Sequence, residues 1–249
     1  MSRRILTSEA YQCCKEEVEY IIDHFENSGT VIHSGRNCIK SFQTDLGIWN
    51  VKRYHKPSAF NRIVYSFFRK PKGRRAFEYP LKVLSAGFET PCPIAYVEED
   101  CMGLIGYSYF VSEQCPYKRR FYEFGNARVE DIQDILIAFV RFTAGLHEAG
   151  IYHRDYSPGN ILFDKVNGAW HFSIVDINRM EFGPVSIKKG CRNFARLWGQ
   201  PDFFRFIAQE YAHARHADER QCIAAVMQAR NKFWKPRARH FDLPYELNF

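Results

Sequence analysis

The residues best suited to do chemistry in this 249-residue chain lie in one stretch, Ile151-Tyr152-His153-Arg154-Asp155-Tyr156-Ser157-Pro158-Gly159-Asn160, with Asp176 a short way beyond. A carboxylate such as Asp155 can take the proton of a hydroxyl held beside it. Asn160 and Asp176 supply the hard oxygen ligands that Mg²⁺ prefers. The spacing also brings those ligands together. Ile161-Leu162-Phe163-Asp164 and His171-Phe172-Ser173-Ile174-Val175 flank Asn167-Gly168, a strong hairpin signal, so the second strand returns Asp176 beside Asn160. A base next to a divalent-metal site is a minimal kit for phosphoryl transfer, a reaction governed mainly by positioning and charge neutralisation.

His153 to Asn160 matches the kinase catalytic loop H-R-D-x-x-x-x-N at every fixed position. Average residue frequencies put a chance match at roughly one in a thousand for a chain of this length. On that match Asp155 is the base, Arg154 joins the catalytic set, and Asn160 and Asp176 are the metal ligands. A cation is still needed for the non-transferred phosphates. Asn50-Val51-Lys52 ends a predicted strand as V-A-I-K does in kinases, which assigns Lys52 to that role with Glu78 on the next helix as its partner. In isolation a strand-end lysine is more often a solvated charge; the downstream motif reverses those odds. Ser34-Gly35-Arg36-Asn37 carries one glycine where protein kinases show G-x-G-x-x-G, and the backbone near Gly35, with Arg36, is expected to cover the phosphates. Ser112-Glu113-Gln114-Cys115 is the expected hinge: backbone groups at Glu113 and Cys115 would bond adenine, and Leu162 and Val175 would pack against it.

The elements that must position these residues are legible from periodicity and turn residues. Residues 8–28 read as a helix N-capped by Ser8, with Val18, Ile21, Ile22 and Phe25 on one face. Residues 30–33, 38–42 and 48–52 read as a three-stranded antiparallel meander. A helix over 74–87 closes at Gly87, and strands follow near 94–98 and 104–111. Val129 to Ala149 carries Ile132, Ile135, Leu136, Phe139, Val140 and Leu146 at helical spacing, with Glu130 and Asp131 in its first turn and Gly150 beyond its end. Everything after Arg192 looks helical. The expected fold class is α+β: a β-rich N-terminal lobe over 1–111, a hinge and connector over 112–128, and a mainly helical C-terminal lobe over 129–249.

With 46% hydrophobic and 25% charged residues the chain can bury a large core. No apolar run reaches the 18 or so residues of a membrane span and no signal-like stretch opens the sequence, so a cytoplasmic protein is expected. The eight cysteines form no C-x-x-C pair and are expected to be reduced and structural. The net charge of +7 favours a polyanionic partner, but without a helix-turn-helix, zinc-finger or RNP signature nucleic acid ranks low. Leu46 to Phe77 holds no Asp or Glu, whereas Lys52, Arg53, Lys56, Arg62, Arg69, Lys70, Lys72, Arg74 and Arg75 all fall within it. Phe60, Ile63, Val64, Phe67 and Phe68 recur there at helical spacing: either a basic amphipathic helix on an anionic membrane surface, or a helix packed on the N-terminal lobe.

The combination of Asn50-Val51-Lys52-Arg53, Glu78, His153-Arg154-Asp155 through Asn160, and Asp176-Ile177-Asn178-Arg179 resembles the bacterial lipopolysaccharide core kinases, which phosphorylate heptose or Kdo sugars. The resemblance covers roughly residues 30–200. It implies a protein-kinase-like fold and an ATP- and Mg²⁺-dependent transfer of phosphate to a sugar or glycolipid hydroxyl at the inner face of the inner membrane. Asp176-Ile177-Asn178 replaces D-F-G, Ser157 stands where protein Ser/Thr kinases commonly carry lysine, and no A-P-E follows, so a glycan acceptor fits better than a protein. The alternatives are a protein Ser/Thr kinase, an aminoglycoside-type small-molecule phosphotransferase and, lower, a nucleotide-binding pseudokinase.

Overall fold

The computed structural model describes residues 2–68, 70–240 and 245–249, without the side chains of Phe67 and Cys101, so the Phe67 and Arg69 parts of the basic stretch lie outside it. The described residues form two compact units, one running to Pro116 and one beginning at Tyr117. The first contains β1 (Arg3–Thr7), a 3₁₀ segment (Glu9–Cys14), α1 (Lys15–Asp23), β2 (Thr30–Ser34), β3 (Cys38–Thr44), β4 (Gly47–Tyr54), α2 (Ala59–Phe67), α3 (Lys72–Ser85), β5 (Pro93–Cys101) and β6 (Leu104–Glu113). Its strands make one six-stranded sheet in the order β1-β5-β6-β4-β3-β2, and every pairing is antiparallel.

Alternation along β4 buries Trp49 and Val51 completely, while Asn50 and Lys52, on the other face, are half-buried. Trp49 and Val51 join Ile94, Val97, Tyr109 and Val111 in packing against Val18, Ile21 and Ile22 of α1 and Phe25 in the turn after it, the apolar face expected from spacing. Lys40 on β3 is buried because its ammonium donates to the carbonyls of Phe25, Glu26 and Ser28, tying down the turn that follows α1. The N-terminal helix is shorter than expected. The Ser8 amide is still stitched to Ile94 C=O at 3.0 Å and its side chain makes no cap; Tyr11, at φ −122°, kinks the 3₁₀ segment that precedes α1. β1 was not foreseen: two apolar residues beside two arginines show no alternation, yet the segment pairs with β5 as an edge strand.

α2 lies on the sheet with its polar side inward. β4 pairs with β6 only as far as Tyr54 opposite Ser108, which leaves Ile105 without a β4 partner. Arg62 Nε donates to Ile105 C=O at 2.8 Å, and Ile105 N–H donates to Ser66 Oγ at 3.1 Å, so helix side chains satisfy the uncovered strand. The apolar residues consequently face out: Phe60 is 76% exposed, Ile63 48%, and Phe68, just past the helix, 81%.

The second unit contains β7 (Arg119–Arg120), α4 (Val129–Glu148), β8 (Ile151–His153), β9 (Ile161–Val166), β10 (Ala169–Ile174), β11 (Met180–Phe182), α5 (Ile187–Asn193), α6 (Pro201–Ala214) and α7 (Glu219–Arg237). β10, β9 and β7 form one small sheet, and β8 pairs with β11. Residues 117–128 sit in this unit because Phe121 and Phe124 are buried among Phe139, Phe163 and Phe172, with Phe121 centred 4.1 Å from Phe139. The Asn167-Gly168 turn has φ 49° and 83°, the left-handed pair that a two-residue hairpin loop requires.

Candidate active site

The chain that leads to the Asp155 loop leaves α4 through Gly150, whose φ of 72° suits glycine, and enters β8. Two short ladders then clamp the loop. At its start His153 lies opposite Met180 of β11, and at its end Ile161 of β9 lies opposite Ile174 of β10. One step beyond that last pair, Val175 N–H donates to Asn160 C=O at 3.0 Å. The hairpin thereby sets Asn160 next to the residue that precedes Asp176.

His153 joins the two ends. Its buried ring donates from Nε2 to Val175 C=O at 3.0 Å and accepts Asp155 N–H at Nδ1 at 3.1 Å. Asn160 Nδ2 donates to Asp155 C=O at 2.8 Å, which closes a ring of bonds through Asp155, His153, Val175 and Asn160. Burial pushes the His153 imidazole pKa down and outweighs the Val175 carbonyl and the Asp155 and Asp176 charges. The ring therefore stays neutral, and its two partners fix the Nε2–H tautomer.

Asp176 follows in left-handed backbone, at φ 54°, and its carboxylate accepts Asn178 Nδ2 at 2.6 Å. With the Asn160 amide nitrogen committed to the Asp155 carbonyl, Oδ1 is the atom left to act as a ligand. Oδ1 and the Asp176 carboxylate are both hard oxygen donors, which fits Mg²⁺ completed by phosphate and water. Among the described residues no cluster of three or more His, Cys, Asp or Glu side chains forms a metal cage by itself.

The Asp155 carboxylate is ion-paired with Arg196, and Arg179 lies 4.0 Å from its other oxygen. Arg154 reaches Glu181 at 3.3 Å, and Lys189 holds the same carboxylate at 2.9 Å. Behind the loop runs a buried relay. Asn193 Nδ2 donates to His153 C=O at 2.8 Å, Asn193 Oδ1 accepts His147 Nε2–H at 2.9 Å, and the Tyr211 hydroxyl, itself bonded by Arg215, meets His147 Nδ1 at 2.8 Å. Gly190 leaves room for it: a Cβ there would fall 1.9 Å from the Tyr211 oxygen. Arg196, Asn193 and His147 were not singled out from sequence, since they belong to no local motif. Leu162 is buried opposite Ser173, and Val175 is half-buried.

In the first unit Gly35 and Arg36 make the turn between β2 and β3, and Arg36 lines a cleft of about 630 Å³ together with Tyr54, Lys56 and Lys72. Lys52 lies on β4 opposite Ile39 and Phe110, its ammonium 5.5 Å from the centre of the Tyr54 ring. Glu78 on α3 is held by Lys70 at 2.7 Å and Arg74 at 2.9 Å. Burial raises the Glu78 pKa, but those two cations together bring it below the usual carboxylate value. The Glu113 amide donates to Cys92 C=O at 3.0 Å and its carboxylate accepts the Tyr11 hydroxyl; Cys115 is buried.

No protein-family model matches the chain, and no curated protein matches it in sequence. Solved structures do match its backbone. Among them is WaaP in complex with acyl carrier protein, at a TM-score of 0.62 and 16% identity, covering 93% of this chain and 99% of the matched one. That likeness shows the fold: the chain has the protein-kinase-like fold, with an antiparallel β-rich N-terminal lobe and a mainly helical C-terminal lobe, as the resemblance to lipopolysaccharide core kinases implied.

The buried histidines make stability depend on pH. Burial lowers the His147 pKa from 6.5 to about 4, against the raising effect of Asn193. Below pH 6.5 the unfolded chain takes up protons that the folded chain refuses, so stability falls as pH falls. Denaturant unfolding is expected to show a loss of about 2 kcal/mol from His147 between pH 7 and pH 5, with His153 adding in the same direction. His147→Gln, compared over the same range, should have the shallower slope.

Proposed function

We propose that the chain is an ATP-dependent phosphotransferase acting on a sugar hydroxyl of the lipopolysaccharide core, Kdo or heptose. The observation that carries this reading is the closed ring of hydrogen bonds joining the base candidate Asp155 to Asn160 and to the strand end that delivers Asp176. The likeness of the fold to WaaP supports it.

In this reading Asp155 accepts the proton of the acceptor hydroxyl as that oxygen bonds to the γ-phosphorus of ATP, the bond to the leaving oxygen breaks, and ADP departs. Arg196 and Arg179 hold the Asp155 carboxylate in place. Asn160 Oδ1 and the Asp176 carboxylate would hold Mg²⁺, which when bound neutralises charge on the phosphates. Lys52 is the proposed cation for the non-transferred phosphates, with the Gly35 and Arg36 turn as their cover. Glu113, Cys115, Leu162 and Val175 are the proposed adenine contacts. Arg154 acts through Glu181, fixing the segment after Asp176. The Glu78 ion cluster is proposed to hold α3 in the position that serves Lys52. A protein acceptor is disfavoured by the missing A-P-E segment.

Asp155→Asn is expected to lower turnover by about 10²-fold or more while Mg²⁺–ATP affinity stays within about twofold, because the base acts on the acceptor. Asp176→Asn is expected to weaken Mg²⁺-dependent nucleotide binding instead. Calorimetric nucleotide titrations beside turnover measurements check both, and wild-type turnover in the two variants would refute the mechanism.

Access to a glycolipid calls for a membrane surface, and we propose that α2 supplies the contact. Among the described residues no helix is long and apolar enough to cross a bilayer. The outward Phe60, Ile63 and Phe68 with the half-buried Lys56 and exposed Lys70 suit an interfacial helix on anionic lipid. Phe60→Ser with Phe68→Ser should cut co-sedimentation with anionic liposomes at least roughly tenfold without lowering stability. Unchanged sedimentation would reduce α2 to a cover for the β6 backbone.

A further inference from the structure

The second unit holds a cleft of about 530 Å³ whose walls include Arg154, Lys188, Arg192, Arg196, Lys232 and Arg237, and among the described residues no Asp or Glu side chain lines it. Among the described residues two of these cations have carboxylate partners, Arg196 with Asp155 and Arg154 with Glu181. The others concentrate positive charge in a concave, partly desolvated space, an arrangement that repels itself until an anion enters. The guanidiniums are also held in place. Arg237 stacks 3.7 Å from the centre of the Phe233 ring and donates to Phe233 C=O at 2.7 Å, while Arg196 lies 5.3 Å from the same ring.

Arg196 ties this cleft to the chemistry, since the side chain on its wall is the one paired with Asp155. A ligand anchored by the cleft cations would therefore lie one side chain away from the base. We propose that the cleft is the acceptor subsite and that it takes a sugar already carrying an anionic group, a carboxylate or a phosphate, separate from the hydroxyl that reacts. This rests on the phosphotransferase reading and narrows it to anionic acceptors. Planar guanidiniums bind both groups through paired N–H donors, and the surrounding lysines add charge without selecting between them. The cleft also gives part of the chain's net charge of +7 a specific use.

The test uses core oligosaccharide freed from lipid, in four preparations: untreated, phosphatase-treated, carboxyl-esterified, and treated both ways. Binding of each is measured by calorimetry to the wild-type chain and to Arg192→Gln/Lys232→Gln, with Mg²⁺–ATP titrated into the same samples. The untreated glycan should bind wild type at least about tenfold more tightly than the doubly treated one, and the treatment that causes the loss identifies the recognised group. The variant should lose most of that difference. Equal affinity of wild type for all four preparations, no binding of the untreated glycan, or a variant that keeps the full difference would overturn the proposal. Absence of Mg²⁺–ATP binding in wild type would instead refute the phosphotransferase reading, whichever way the glycan result fell.

Discussion

A neutral, buried imidazole is the constraint on which the rest of the site depends. His153 can bridge Asp155 N–H and Val175 C=O only while one nitrogen carries a proton and the other does not. Protonation would turn the acceptor nitrogen into a donor facing another donor. Burial disfavours that state, so the medium that makes a charge costly also selects the tautomer that spans the loop. The amide of Asp155 and the carbonyl of Val175, the residue before Asp176, are thereby fixed relative to each other. That is the geometric requirement of a reaction in which the protein contributes mostly position and charge.

The bridge holds because larger elements fix it from behind. His153 C=O is taken by Asn193 at the end of α5, Asn193 by His147 of α4, and His147 by Tyr211 of α6, so three helices share one polar chain through the core. A partly satisfied chain of this kind would be costly, and each polar atom named in it has a partner. Gly190 is required by the same arrangement, since any side chain there would displace the Tyr211 hydroxyl. In the first unit, the turn after α1 satisfies the Lys40 ammonium and lets β3 bury a lysine, and alternation along β4 then separates the packed Trp49 and Val51 from Lys52.

What could be read from sequence was local. The loop that carries the proposed base and the hairpin that brings the two proposed metal ligands together were legible because the loop is continuous and the Asn167-Gly168 turn fixes a hairpin of known length. The meander and α4 were legible because their patterns repeat with the right period. Arg196 and Asn193 were not, because about 40 residues separate them from Asp155 and His153, and His147, close in sequence, reaches His153 only through Asn193. The sequence left the orientation of α2 open between a membrane-facing helix and one packed on the lobe, because periodicity alone does not say what an apolar stripe meets. β4 stops short of Ile105, and satisfying that open backbone turned Arg62 and Ser66 inward. Residues 117–128 likewise joined the second unit because Phe121 and Phe124 enter its aromatic core, a contact that a chain-order reading does not show.

The central claim is that this site moves phosphate onto a glycan. The most direct measurement incubates the chain with Mg²⁺, ATP labelled in its γ-phosphate, and two acceptors in one vessel, a lipopolysaccharide core and a generic protein substrate, and then follows the label. The account predicts label on the glycan, dependent on Mg²⁺, with none above background on the protein. Label on the protein alone, or nucleotide bound with no label transferred to either, would contradict it.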